Sequence, residues 1–339
     1  MTTLTARATL LGANQPADRF YAGGERIAAF RGDGAARPHT PEDWVGSVTP
    51  LFGEASLGRT VLPDGTALAD AVAADPVAWL GEEHVAAFGA DTCLLVKLLD
   101  AGQRLPVHAH PDVPFAAEHL GLAHGKTEAW IFLEPADVHL GFTREVGEDE
   151  LARWVSAQDT AAMLGAMHRL SVEAGDAVLV PAGTAHAIGE GAFLVELQEP
   201  TDLSILMEWD GFAIDGAVAG HLGLGFDRAL RAVDRRALSR EQVESLRTAR
   251  ARDGGSLLAA AAPFFRAERV RGDSVLEAGF SVLVCTSGAA TLTSESGDSL
   301  DVRRGATALL PHAAGVWSVT AGPGFEAIRC RPPSPADAV

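Results

Sequence analysis

The sequence predicts a mainly β protein: two related jelly-roll β-barrels, with an inserted helix in the first and a helical connector between them. Three observations carry this. Short apolar runs of β character recur at residues 92–99, 128–133, 138–142, 177–181, 192–197 and 204–208, each cut by Gly, Pro or Asp. The strand–turn–strand rhythm of "LSVEAGDAVLVPAGTAHAI" returns near the C-terminus in "SLDVRRGATALLPHAAGVWSV". Only two segments, 148–170 and 226–250, show the 3.6-residue apolar period of an amphipathic helix.

Taken in order, residues 1–60 are rich in Gly, Pro and Arg and are expected to wrap the first barrel. The inserted helix, 148–170, places Leu151, Trp154, Val155, Ala162, Leu164 and Met167 on one face. The connector carries Leu230, Val233, Leu238, Val243 and Leu246 among many charges, and Ser239-Arg240-Glu241-Gln242 has the spacing of a capping box. "RDGGS" at 252–256 then marks a boundary. The expected division is a catalytic barrel with its inserted helix over 1–225, a connector over 226–256 and a second barrel over 257–339. In the second barrel His312 directly follows Pro311 and no His-x-His precedes it. That half is expected to be degenerate and structural.

Composition narrows the function. With 47% hydrophobic and 21% charged residues the chain of 339 is globular rather than disordered. No apolar run reaches bilayer length, and the first twenty residues lack the apolar core of a signal peptide. Three scattered cysteines form neither a disulfide framework nor a Cys-x-x-Cys knuckle. The expectation is a cytoplasmic protein without a membrane partner. A net charge of −18 excludes nucleic acid, whose phosphates demand clustered cations. Of 27 basic residues only Lys97 and Lys126 are lysines. In a chain that otherwise uses Arg, this marks both as places where a compact, titratable ammonium is needed.

The chemistry sits in "LPVHAHP" at 105–111. Alternate residues of a strand share a face, so His108 and His110 point the same way. Alone, the pair is as consistent with a solvated strand face as with a metal. Its context is more specific. Five residues separate Gly102 from His108, and five likewise separate Gly175 from Pro181-x-Gly183-x-x-His186. These spacings are the two cupin motifs, in which two hairpins converge three imidazoles on one cation. For the carboxylate, Glu118 lies slightly beyond the usual cupin position. Glu128, opening the next strand in "HGKTEAWIFL", is the better candidate.

The segments "LLVKLLDAGQRLPVHAHPD", "GKTEAW" and "VEAGDAVLVPAGTAHAIGEG", with weaker echoes in "FYAGGERIAAF" and "PEDWVGS", resemble the type I mannose-6-phosphate isomerases of the cupin superfamily. The resemblance is good over residues 15–200 and looser beyond. It implies a zinc-dependent aldose–ketose isomerase acting through an enediol, with metal ligands His108, His110, Glu128 and His186. His108 stands where the family has Gln. Three His and one Glu also suit Mn2+, Fe2+, Ni2+ or Co2+. Lys126 and Lys97 fall on family lysines, and Lys126, near a cation and partly buried, is expected to have a lowered pKa. Glu208, by motif position, is a second candidate for the base, and His124 a third.

One departure bears on the substrate. Leu206 in "PTDLSILMEWDGF" occupies the position of the family's phosphate-facing Arg. Arg144, Arg228 or Arg231 would have to replace it, or the sugar is unphosphorylated. The expected partner is therefore a sugar or a sugar phosphate. An iron-dependent oxygenase and a sugar-binding cupin without turnover are the alternatives from other classes.

Overall fold

The computed structural model describes residues 6–32, 37–249 and 255–337. Strands between 42 and 248 build one two-sheet unit. Its first sheet runs, in spatial order, Arg247–Thr248, Ala177–Val180, Glu128–Phe132, Phe193–Gln198, Leu95–Asp100 and Glu42–Val45. Its second runs Ile205–Leu206, His108–Ala109, His186–Ile188, Ala136–Phe142 and Met167–Val172. Neighbouring strands in both sheets are antiparallel. Leu99, Trp130, Phe132, Leu140, Val172, Val180 and Leu194 fill the space between. The mainly β architecture follows from the short apolar runs cut by turn residues.

The second unit pairs Thr307–Leu310, Ser281–Ser287, Glu326–Arg331, Arg266–Arg271 and Gly255–Ser256 in one sheet, and Ser274–Leu276, Trp317–Ala321, Ala289–Ser294 and Ser299–Arg303 in the other. The units stack through one apolar layer. Val96, Leu98, Ile131, Val195 and Leu197 from the first meet Phe280, Val282, Leu309, Ile328 and Cys330 from the second. This is why Phe193–Gln198 is buried along its whole length: its outer face is covered too.

Residues 1–60 do more than wrap the first barrel. Thr9–Leu11 adds an edge strand beside Thr307–Leu310 of the second unit, while Glu42–Val45 pairs with Leu95–Asp100 of the first. The segment ties the two together.

Both long helices are shorter than their period suggests. The inserted one stops at Glu148–Ala157, where Gln158 takes a left-handed φ of 51°. The Asp159 side chain then caps Thr160–Gly165. From Met167 the chain is a strand against Ala136–Phe142, because pairing there satisfies its backbone and buries Leu170 and Val172. The connector is helical only over Phe226–Ala229 and Arg240–Ser245, with a 3-10 turn at Leu230–Ala232, and turns extended at Val233. The capping box is present: Ser239 Oγ accepts from Gln242 N, and Gln242 Oε1 accepts from Ser239 N. Of the boundary at 252–256, residues 252–254 lie outside the described residues. Among the described residues no helix is long and apolar enough to cross a membrane.

Candidate metal centre

Three imidazoles converge at one end of the first unit. His108 sits directly opposite His186 across the strand pair, and its neighbour on the other side is Leu206. The ligand-type atoms of His108, His110 and His186 lie within 4.8 Å of one another, and all three residues are buried. Two glycines make this possible. Gly102 comes so close to Gly23 that a Cβ there would lie 2.7 Å from its Cα. Gly183 takes a φ of +85°, where side chains are strained, and its N–H donates to the His110 carbonyl at 2.7 Å. That bond holds the two hairpins in register.

Each imidazole is oriented from behind. The Nδ1 atoms of His108, His110 and His186 reach the carbonyls of Pro106, Leu203 and Thr184 at 2.8, 2.6 and 2.9 Å. A carbonyl only accepts, so Nδ1 carries the proton and Nε2 presents a lone pair inward. Burial, with the neighbouring positive groups, lowers all three imidazole pKa values, that of His110 to about 3. The rings are neutral, the state a ligand requires.

Glu128 completes the set. Its Oε2 lies 3.0 Å from His110 Nε2 and its Oε1 3.4 Å from His186 Nε2. Trp130 Nε1 donates to Oε1 at 2.9 Å and its ring packs against His186. His186 Nε2 is buried without a hydrogen-bond partner. Orphaned buried acceptors are costly. Three inward lone pairs and one carboxylate are the donor set a divalent cation takes, so these residues fit a metal. Glu118, in contrast, faces solvent on the helix Val113–Leu120.

The centre opens into a cavity of about 230 Å³, lined among others by His108, Lys126, Glu128, Glu196, Lys97 and Leu206. Lys126 Nζ lies 2.8 Å from Glu128 Oε2, 3.0 Å from His110 Nε2 and 3.4 Å from Glu196 Oε1. The expectation of a lowered lysine pKa is corrected here. Burial alone lowers it, but Glu128 and Glu196 outweigh burial and hold the ammonium well above its usual range. Lys97 is also buried and lines the cavity, 3.7 Å from Asp202 and 4.6 Å from the centre of the Trp44 ring.

Glu208 is not in this cavity. Its carboxylate is held by Arg104 at 2.5 and 2.7 Å, by Val107 N at 2.8 Å and by the Thr160 hydroxyl at 3.0 Å. Its role as base is corrected: the group is a buried brace behind the His108 strand. His124 is also elsewhere, bonded to Asp91 at 2.7 Å. A cavity carboxylate beside Lys126 that the sequence does not single out is Glu196. Burial pushes its carboxyl up to about 8; Lys97 opposes that and Glu128 adds to it. The available signal was a lone Glu inside the apolar run "FLVELQ".

None of the candidate replacement arginines lines the cavity. Arg144 pairs with Glu150 on the surface, and Arg228 and Arg231 are exposed. Instead Arg19 lines the cavity, with Nε 3.2 Å from Glu42.

No family model matches the chain. A mannose-6-phosphate isomerase of Streptococcus mutans is 37% identical over 134 residues, covering 38% of this chain and 41% of that protein. One from Bacillus subtilis is 30% identical over 165 residues, covering 46% and 50%. Among solved structures, the mannose 6-phosphate isomerase of Bacillus subtilis superposes with a TM-score of 0.68 at 20% identity, over 96% of this chain and all of that one. The chain has the mannose-6-phosphate isomerase fold. A further isomerase structure, described as bound with zinc and yttrium, has a TM-score of 0.72 at 14% identity over 97% of this chain. The alignable sequence spans half or less of the curated relatives' length. Mannose-6-phosphate isomerases are thus what the chain resembles, in sequence over less than half of its length and in fold over 96–97% of it.

Proposed function

We propose that this protein is a metal-dependent aldose–ketose isomerase that interconverts mannose 6-phosphate and fructose 6-phosphate. The observation that carries the reading is the buried three-imidazole, one-carboxylate cluster opening directly onto a cavity that also holds Lys126 and Glu196. The names of the sequence relatives point to the same substrate. His108, His110, Glu128 and His186 would hold the cation, with zinc as the metal of a structural relative. When bound, the metal supplies positive charge to sugar oxygens that become anionic during the reaction.

Isomerisation removes a proton from C2 and returns one to C1, while a hydroxyl proton passes from O2 to O1. Glu196 is the carboxylate placed to carry the carbon-bound proton, since it lines the cavity with Oε1 3.4 Å from Lys126 Nζ. Lys126 keeps its charge and donates to a sugar oxygen. Trp130, fully buried, donates to Glu128 Oε1 and orients that carboxylate.

A second reading, the same isomerisation on a free sugar, is favoured by one observation. Leu206, buried and apolar, lines the cavity beside His108, and the nearby cations Arg19 and Lys97 already face Glu42 and Asp202. A phosphate dianion would need an unshared guanidinium. The test is a side-by-side assay of mannose 6-phosphate and mannose with the metal-loaded protein, following ketose. Preference for the ester supports the first reading. Preference for mannose supports the second, and no turnover on any aldose in a wider panel overturns both.

A further inference from the structure

A second group of metal-type donors lies outside the cavity. Asp91 and Cys93 stand just before the strand Leu95–Asp100, and His124 stands just before Lys126. Their donor atoms lie within 4.8 Å of one another. His124 Nε2 is 2.7 Å from Asp91 Oδ2, and His124 Nδ1 is 3.9 Å from Glu199 Oε1. Cys93 is buried, while Asp91 and His124 are partly open to solvent. An ion can therefore reach the thiol past the other two.

An ion pair between Asp91 and His124 does not account for the thiol. Cys93 has a φ of 49°, unusual for a residue with a Cβ. The bend is held by Asp91 Oδ1, which accepts from Cys93 N at 2.7 Å, and by His84, whose Nε2 lies 2.6 Å from the Asp91 carbonyl. It leaves Sγ 3.8 Å from the Asp91 backbone carbonyl and within 4.8 Å of the Asp91 and His124 donor atoms.

We propose that Asp91, Cys93 and His124 form a second metal site for a zinc-class divalent cation, with Glu199 or water as the fourth ligand. The mixture of thiolate, imidazole and carboxylate selects a borderline-soft ion over Mg2+ or Ca2+, which take oxygen alone. Binding displaces the thiol proton to solvent. The site acts by positioning. Glu199 is bonded through its backbone and side chain to Thr127, and Thr201 to the Gly125 carbonyl. A cation on His124 would fasten the 124–128 stretch, which carries Lys126 and Glu128, to the start of the strand that carries Lys97. The inference stands independently of the isomerase reading.

The experiment is metal stoichiometry of the full chain, apo-protein titrated with Zn2+ and with Co2+, for wild type, Cys93→Ala and His108→Ala/His186→Ala. Wild type is expected to take two equivalents and each variant one. The cobalt form of the double-histidine variant should show a thiolate-to-cobalt charge-transfer band that Cys93→Ala lacks. If Cys93→Ala binds as many equivalents as wild type, or the band persists without Cys93, the second site does not exist. If wild type takes one equivalent and Cys93→Ala none, the three-imidazole centre fails and the second site stands. Comparing wild type with Cys93→Ala settles the matter even if the double variant does not fold.

Discussion

Lys126 Nζ lies 2.8 Å from Glu128 Oε2, two residues further along the same extended segment. One face of that segment thus offers an ammonium and a carboxylate to the same small space. In that space the ammonium also touches His110 Nε2, at 3.0 Å. Lysine and cation share ligands, and this sets the first expectation.

Replacing Lys126 by Met removes a positive charge beside the ligand set. Metal affinity is expected to hold or rise, and turnover to fall by about 10²-fold or more, the scale of a lost acid–base or electrostatic contribution. Metal content and ketose formation, measured on one preparation, check both halves. Turnover near wild type would remove Lys126 from the mechanism.

His186→Ala takes away one inward lone pair, whose Nε2 is an orphan in the fold. Metal retention through dialysis should drop and activity with it, and added Zn2+ should not restore wild-type turnover. Chelator treatment of wild type should abolish activity reversibly. Activity that survives full metal removal would sink the metal-dependent reading.

Glu208→Gln separates brace from base. The carboxylate is buried and paired with Arg104. The substitution weakens charge-assisted bonds, at a cost of about 2–3 kcal/mol. A fall in Tm is expected with kcat within a few-fold of wild type. A collapse of kcat at an unchanged Tm would return Glu208 to the chemistry.

Glu42 makes acid stability measurable. Burial alone would raise its carboxyl; Arg19 and Lys97, with hydrogen bonds from Tyr21 and Trp44, outweigh it and hold it at about 2. The folded value lies below the ordinary one, so the stabilisation is complete above about pH 4.5 and is lost as pH falls toward 2. A shift of that size corresponds to about 3 kcal/mol. Denaturant titrations between pH 5 and 2.5 should show wild type losing stability more steeply than Glu42→Gln. Parallel curves would remove Glu42 as the source.

Much of the candidate site was legible because its signals are local. A period of two puts His108 and His110 on one face. The intervals from Gly102 and Gly175 place the hairpins, and a lysine two residues before Glu128 shares its direction. The misreadings have physical causes. Glu208 looked available because its partner, Arg104, lies 104 positions away. Glu196 went unread because a strand covered on both faces shows no alternation to mark which side meets the cavity. The lowered pKa expected for Lys126 took no account of Glu196, which comes from a strand 70 positions away. The helical periods at 148–170 and 226–250 were real but were overruled at Gln158 and Val233, where the chain turns to supply strands or loops to the barrel.

The sequence by itself determined a β-rich chain with the ligand-type spacing of the two cupin motifs, because strand period, turn glycines and ligand spacing are properties of neighbouring residues. Only the tertiary structure decided which carboxylate faces the cavity, which arginine stands there and what charge the lysine carries. Those depend on burial and on Coulomb neighbours, and both are set by segments that meet in space from distant parts of the chain.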